Sequence, residues 1–183
     1  IKTTLRIQEV DDFFSWRTYD PILLSENEVD EYLSLKKHLS VIDNDGLKIW
    51  KIKQAIPTMD CEIDGRNNPL ELGLADLIDF KKGCFLGQET MARLKNISSL
   101  KQEIRVWKSN HSINNLDLKN KKVYLGDKRD KIVGNITRLV KINSRELIGL
   151  AMIKKNYLSN KNSFFSEQFG IIKMNLSIGS VFL

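Results

Sequence analysis

Cysteine, histidine and proline are scarce in this chain of 183 residues, at two, two and three copies. Cys61 and Cys84 are separated by 22 residues, which is neither a zinc-ligand spacing nor a C-x-x-C redox pair. His38 and His111 lie near neither cysteine in sequence, so no metal site is expected. A disulfide between the cysteines is not expected in a reducing cytosol, the compartment that this composition suggests. No apolar run approaches the ~20 residues of a bilayer span. The first residues lack the basic-then-apolar order of a signal peptide. Membrane association is therefore not expected, and a cytoplasmic monomer is.

What is present suits a globular protein. Hydrophobic residues make up 42% of the chain, enough for a sizeable core, and the length allows one or two domains. The net charge is +6. The densest basic patch, Lys119-Asn120-Lys121-Lys122 with Lys128, Arg129 and Lys131, is interrupted by Asp127 and Asp130 and has Tyr124 as its nearby aromatic. Such a patch is either a solvated face or an attractor for phosphates or an anionic cofactor.

The pattern changes part-way along the chain. Thr3 to Val10 alternates as a strand does, and Trp16 reads as a core residue. Ser25 followed by Glu28 is a capping box that opens a helix bearing Val29, Tyr32 and Leu33. Asn44 or Asp45 is expected to cap a second helix with Leu47 and Trp50 facing inward, stopped by Pro57. Asp64-Gly65-Arg66-Asn67-Asn68-Pro69 is turn chemistry throughout. After Ser98-Ser99, strands are predicted over 101–108, 122–125, 131–140, 146–153 and 170–174. Short strands at this spacing suggest a small barrel or sandwich.

The densest chemistry lies between these two styles, in Lys82-Gly83-Cys84-Phe85-Leu86-Gly87-Gln88-Glu89 followed by Ala92-Arg93. Gly83 and Gly87 bracket the thiol and permit φ > 0. Gln88 to Lys95 are mostly good helix formers. A strand ending near Phe80, a glycine-flanked loop and then a helix are predicted. Glu89 precedes Arg93 by four residues, the favourable order for a helical ion pair. Cys84 would sit before a helix N-terminus with Lys81 and Lys82 on its other side, an environment that favours thiolate. Without further information a single cysteine is more often a small buried hydrophobe.

This run resembles the K-G-C-(Y/F)-x-G-Q-E-x-x-A-R signature of the YgfZ family, folate-binding relatives of the glycine-cleavage aminomethyltransferase (T-protein). The family is linked to iron–sulfur protein maintenance and, in bacteria, to a tRNA-modification phenotype. Flanking pieces agree in order: Trp50 to Pro57, Asn68-Pro69-Leu70-Glu71-Leu72-Gly73-Leu74, Val133-Gly134-Asn135-Ile136-Thr137, and Ile148-Gly149-Leu150-Ala151-Met152-Ile153. The resemblance covers about residues 45 to 155. Phe85 stands where tyrosine is commoner, and the turn after the signature helix is rebuilt as Asn96 to Gln102.

The resemblance implies an α+β fold. Residues 1–98 would form the latter portion of a folate-binding domain and 99–183 a small β-barrel. The chain begins at Ile1 and is shorter than the family's usual length, so the first half of the folate domain, which in T-protein carries the catalytic aspartate, is expected to lie outside it. Cys84 would be the functional thiol. Lys82, Gly83, Gly87, Gln88, Glu89, Arg93 and Glu71 would bind a tetrahydrofolate or shape its site. Gln88 would either meet the pterin or fix the loop, and Glu71 would either meet the pterin or anchor its own loop. Iron–sulfur proteins or their assembly machinery would be the partners, with an indirect link to tRNA. The alternatives are a tetrahydrofolate-dependent aminomethyltransferase and a noncatalytic folate-binding scaffold. T-proteins usually carry an acidic residue where Cys84 stands.

Overall fold

The computed structural model describes residues 25–35, 42–59, 61–97, 100–110, 120–126, 129, 131–159 and 162–175. The predicted strand at Thr3 to Val10, Trp16 and both histidines lie outside the described residues. The chain divides into two compact units, Ile1–Trp50 and Lys51–Leu183. The first contains α1 (Glu26–Leu35) and most of α2 (Asn44–Lys53); the second contains α3 (Gln88–Ile97) and six strands.

The capping box at α1 forms as the sequence indicates. Glu28 Oε2 accepts the Ser25 backbone N–H at 3.0 Å and the Ser25 hydroxyl at 2.9 Å. The cap of α2 is neither Asn44 nor Asp45 but Asp43, whose Oδ1 accepts the Gly46 N–H at 2.7 Å. In an Asp-Asn-Asp run each residue has cap chemistry, and the backbone selects one. The helix ends before Pro57. Ala55 takes φ 51°, its N–H bonds the Ile52 carbonyl, and the Ile56 N–H bonds that of Lys51, each at 2.9 Å. This is a Schellman closure with alanine in the position that glycine usually holds.

The six strands are β1 (Gln102–Ser109), β2 (Lys122–Leu125), β3 (Ile132–Asn143), β4 (Glu146–Lys154), β5 (Phe164–Ser166) and β6 (Gly170–Met174). They close into an antiparallel barrel in the order β1-β4-β3-β2-β5-β6. The barrel expected from short, closely spaced strands is therefore present, with β5 as an added member.

Two cores use the two faces of the sheet. One gathers Trp107, Val123, Val133, Ile136, Leu147, Ala151, Ile153, Phe164, Phe169 and Ile172. The other packs Ile104, Val106, Ile148, Leu150 and Met152 against Ile52, Ala55 and Leu72 from the preceding segment. Because side chains alternate along a strand, Glu103 and Arg105 share the Trp107 face of β1. Both are buried and ion-paired with each other, and Lys155 Nζ reaches Glu103 Oε1 at 3.2 Å. Burial pulls the Arg105 pKa down, against the upward pull of Glu103.

One bulge joins the barrel to the segment before it. Ile136 pairs Ala151 and Arg138 pairs Leu150, so Thr137 is the extra residue in β3. The Thr137 hydroxyl donates to Glu62 Oε1 at 2.7 Å, and Arg138 Nη2 lies 3.4 Å from Glu62 Oε2 and 2.6 Å from the Ile56 carbonyl oxygen. Glu62 is fully buried, and its Oε2 also accepts the Thr58 N–H at 3.0 Å. A buried carboxylate of this kind needs all of these partners.

Candidate functional site

The segment leading into the signature is not the predicted strand. Leu70 to Leu77 coils through successive turns: Leu74 N–H bonds the Pro69 carbonyl at 2.9 Å, Gly73 has φ 71°, and Ala75–Leu77 is one turn of 3-10 helix. The apolar residues of this run are spaced by turn geometry rather than by strand alternation, so a strand reading of their hydrophobicity fails. Glu71 anchors the coil. Its Oε2 accepts the Asn68 N–H at 3.3 Å, and its carbonyl accepts the Ile104 N–H from β1 at 2.8 Å.

Asp79 begins the signature loop. Its Oδ1 accepts the backbone N–H groups of Lys81 at 2.8 Å and Lys82 at 3.3 Å, an Asx-type turn. Gln88 closes the loop from the other side. Its Oε1 accepts the Phe85 N–H at 3.3 Å, and its Nε2 donates to the Phe80 carbonyl at 3.4 Å. Of the two glycines, Gly87 alone has positive φ, at 83°, immediately before α3. Gly83 is exposed, and a Cβ there would meet open space, so its glycine is not required by φ or by packing within this unit.

This folding leaves the Cys84 thiol exposed. Beside it is an open cleft of ≈ 550 Å³ lined by Pro69, Leu77, Ile78, Asp79, Lys82, Phe85, Leu86, Gly87, Thr90 and Met91. Lys82 Nζ stands 5.3 Å from the Phe85 ring centroid, a cation–π distance. Leu86 is fully exposed and Leu77 is 56% exposed, so the cleft's apolar rim is open to solvent.

The residues singled out from sequence therefore part company. Lys82 and Gly87 reach the cleft wall; Gln88 ties the loop; Cys84, Glu89 and Arg93 are exposed outside the lining. The ion pairs among the described residues include none between Glu89 and Arg93. Glu71 does not line this cleft. Sequence reasoning missed Asp79, Leu77, Ile78 and Met91. An Asp two residues before Lys81 carries a readable Asx-turn signal, whereas the apolar members become a wall only through tertiary proximity.

No protein-family model matches the chain. It is 34% identical over 76 residues to the tRNA-modifying protein YgfZ of Aliivibrio fischeri strain MJ11, a stretch covering 40% of this chain and 24% of that protein. Over this stretch the chain is YgfZ-like. YgfZ of Aliivibrio fischeri strain ATCC 700601 / ES114 matches to the same extent. A chloroplastic protein of Arabidopsis thaliana, provisionally named a transferase, is 41% identical over 54 residues, 30% of this chain and 12% of its own length. The matched stretch thus spans about a quarter of the YgfZ proteins. Among the described residues no helix is long and apolar enough to cross a membrane, and no group of three or more His, Cys, Asp or Glu is placed to hold a metal ion.

The cleft's chemistry suits a small, partly apolar ligand. Its volume falls within the range of small-molecule sites, and its walls are mainly apolar, with Phe85 as the one aromatic and Asp79, Lys82 and Thr90 as the polar groups. Phe85, Leu77, Ile78 and Met91 offer apolar contact, and Lys82 offers a cation at the edge. Asp79 Oδ1 is already engaged by two backbone N–H groups, so that atom contributes to loop shape first.

Proposed function

We propose that this YgfZ-like chain belongs to a cytoplasmic folate-binding factor that supports iron–sulfur proteins, and through them tRNA modification. Tetrahydrofolate or a derivative would be its ligand and Cys84 its functional thiol. The single observation that carries the reading is the signature loop: Gly87 and Gln88 hold it in a form that exposes Cys84 beside a cleft walled by Lys82 and Phe85. An exposed sulfur is available to a protein client in a way that a buried one is not. Lys82 would meet the anionic tail of the folate, and Phe85 would lie against its ring system.

The test uses Cys84→Ala in the parent protein, with iron–sulfur enzyme activities measured in cells and tetrahydrofolate binding measured by calorimetry. The reading expects folate binding to persist and iron–sulfur enzyme activity to fall. Unchanged cellular activity would overturn the role of the thiol. A second reading, a noncatalytic folate-binding scaffold, draws on the position of Cys84 outside the cleft lining. It expects folate binding with no Cys84 phenotype. Formation of methylene-tetrahydrofolate from glycine would instead favour an aminomethyltransferase.

A further inference from the structure

The cleft beside the signature loop carries one carboxylate and one ammonium in its wall, those of Asp79 and Lys82. Both residues are exposed and stand three positions apart on one loop. The ion pairs among the described residues nevertheless include none between them. Each head group has another contact. Asp79 Oδ1 accepts the backbone N–H groups of Lys81 at 2.8 Å and Lys82 at 3.3 Å. Lys82 Nζ stands over the Phe85 ring, 5.3 Å from its centroid.

One oxygen of Asp79 is held in this way and the other is not. Among the described residues, Oδ2 has no hydrogen-bond partner. A carboxylate offers about four acceptor sites, and the two backbone donors use Oδ1 alone. The turn fixes the side chain through its near oxygen, so the far one keeps its accepting capacity while its freedom is already reduced. A group placed in advance loses less entropy when a ligand meets it. The loop thus presents Asp79 as a preorganised acceptor on the cleft wall.

The rest of the wall narrows what that acceptor meets. Leu77 and Ile78 precede Asp79 directly, and Leu86 and Met91 add further apolar surface. A metal ion is a poor fit. No group of three or more His, Cys, Asp or Glu among the described residues could hold one, and Lys82 shares the wall. An N–H donor suits the acceptor better, because a hydrogen bond to a charged oxygen is about twice as strong as one between neutral groups. At Lys82 the complementary group is an anion.

We propose that Asp79 Oδ2 accepts N–H donors of the ligand. The cleft then selects a partly apolar small molecule with N–H donors at one end and, at the other, an anionic group met by Lys82. This assignment rests on the folate-binding reading of the cleft; in tetrahydrofolate the donors are those of the pterin ring. It gives Asp79 the contact that the sequence offered to Glu71, which does not line the cleft and whose Oε2 accepts the Asn68 N–H.

The experiment measures tetrahydrofolate binding by calorimetry for the purified protein and three variants. Asp79→Asn keeps an Oδ1 acceptor for the turn and replaces the charged Oδ2 with an NH₂ donor. It is expected to lower affinity about tenfold or more, the usual loss for a hydrogen bond to a charged group. Lys82→Met is expected to lower affinity by about two- to fivefold and to make it less dependent on salt. A second readout follows the loop itself: the iodoacetamide reaction rate of Cys84 in a Cys61→Ser background. Asp79→Asn is expected to leave that rate within about twofold of the parent, whereas Asp79→Ala, which removes the turn acceptor, is expected to change it further. Wild-type affinity in Asp79→Asn would overturn the role of Asp79 and leave the folate reading standing. A Cys84 rate altered as much by Asp79→Asn as by Asp79→Ala would reduce Asp79 to a loop former and overturn it as well. Unchanged affinity in Lys82→Met would overturn the ligand class. No tetrahydrofolate binding by the wild type would overturn the folate reading, and this assignment with it.

Discussion

Trp107 lies directly over Gly149. A Cβ on that glycine would come within 2.6 Å of the indole ring and 2.3 Å of the Arg138 carbonyl oxygen. The two residues pair across β1 and β4, the indole N–H donates to the Leu150 carbonyl at 3.2 Å, and the ring also packs against Phe169 with centroids 5.3 Å apart. The glycine of the Ile148-Gly149-Leu150 stretch is thus a packing requirement of the barrel core.

Gly149→Ala is expected to destabilise the fold by about 1–3 kcal/mol, since both sides of the clash are rigid and overpacking of this kind costs that much. Urea unfolding followed by Trp fluorescence measures it. Gly134→Ala should behave alike, because its Cβ would stand 2.3 Å from the Met152 carbonyl oxygen. A loss under 0.5 kcal/mol would show that β4 can shift.

Glu62→Ala is expected to cost about 3–5 kcal/mol, the usual penalty for stripping one partner from a buried ion pair. Arg138 would keep its charge in a side chain that is only 16% exposed. Glu62→Leu combined with Arg138→Met should recover much of that loss. If the double variant is no more stable than the single one, the pairing is not what makes Glu62 important.

Replacing Glu103 and Arg105 together by Leu and Met is expected to be neutral or to stabilise by about 1–4 kcal/mol, as replacing buried ion pairs by apolar residues often does. The Arg105 pKa is lowered by burial. A cation with a lowered folded pKa makes the folded state bind fewer protons, so stability rises with pH between its folded and unfolded pKa values. That window lies on the strongly alkaline side, and the wild type and the double variant should show the same stability profile through neutral pH.

Leu86→Ser is expected to leave stability within about 0.5 kcal/mol, since the side chain is fully exposed. It should weaken binding of an apolar ligand in the adjoining cleft by about three- to tenfold, which calorimetry with tetrahydrofolate would read. Unchanged affinity would remove Leu86 from the site.

Much of the barrel was legible because its strands carry β-branched and aromatic residues bounded by Asn, Ser and Gly. The segments 122–125 and 170–174 match the observed strands to the residue. β5 escaped because three residues, Phe-Phe-Ser, are too few to show alternation. The capping box at Ser25 was readable because both partners are local, and so was Gly87 before α3, whereas the sequence left Gln88 as either a pterin contact or a loop tie. Leu77 and Met91 were not readable as cleft residues, since nothing within 14 residues of sequence brings a 3-10 turn against a helix. Gly83 looked equivalent to Gly87 but does not share its positive φ.

Closure of the sheet limits how anything else can attach to it. β4 is hydrogen-bonded to β1 on one side and to β3 on the other along its length, so it offers no unpaired row of amides and carbonyls. A client peptide cannot dock by extending the sheet at β4. Recognition there has to run through side chains, whereas the 79–87 loop is a place where single substitutions can tune one ligand without disturbing the ladder.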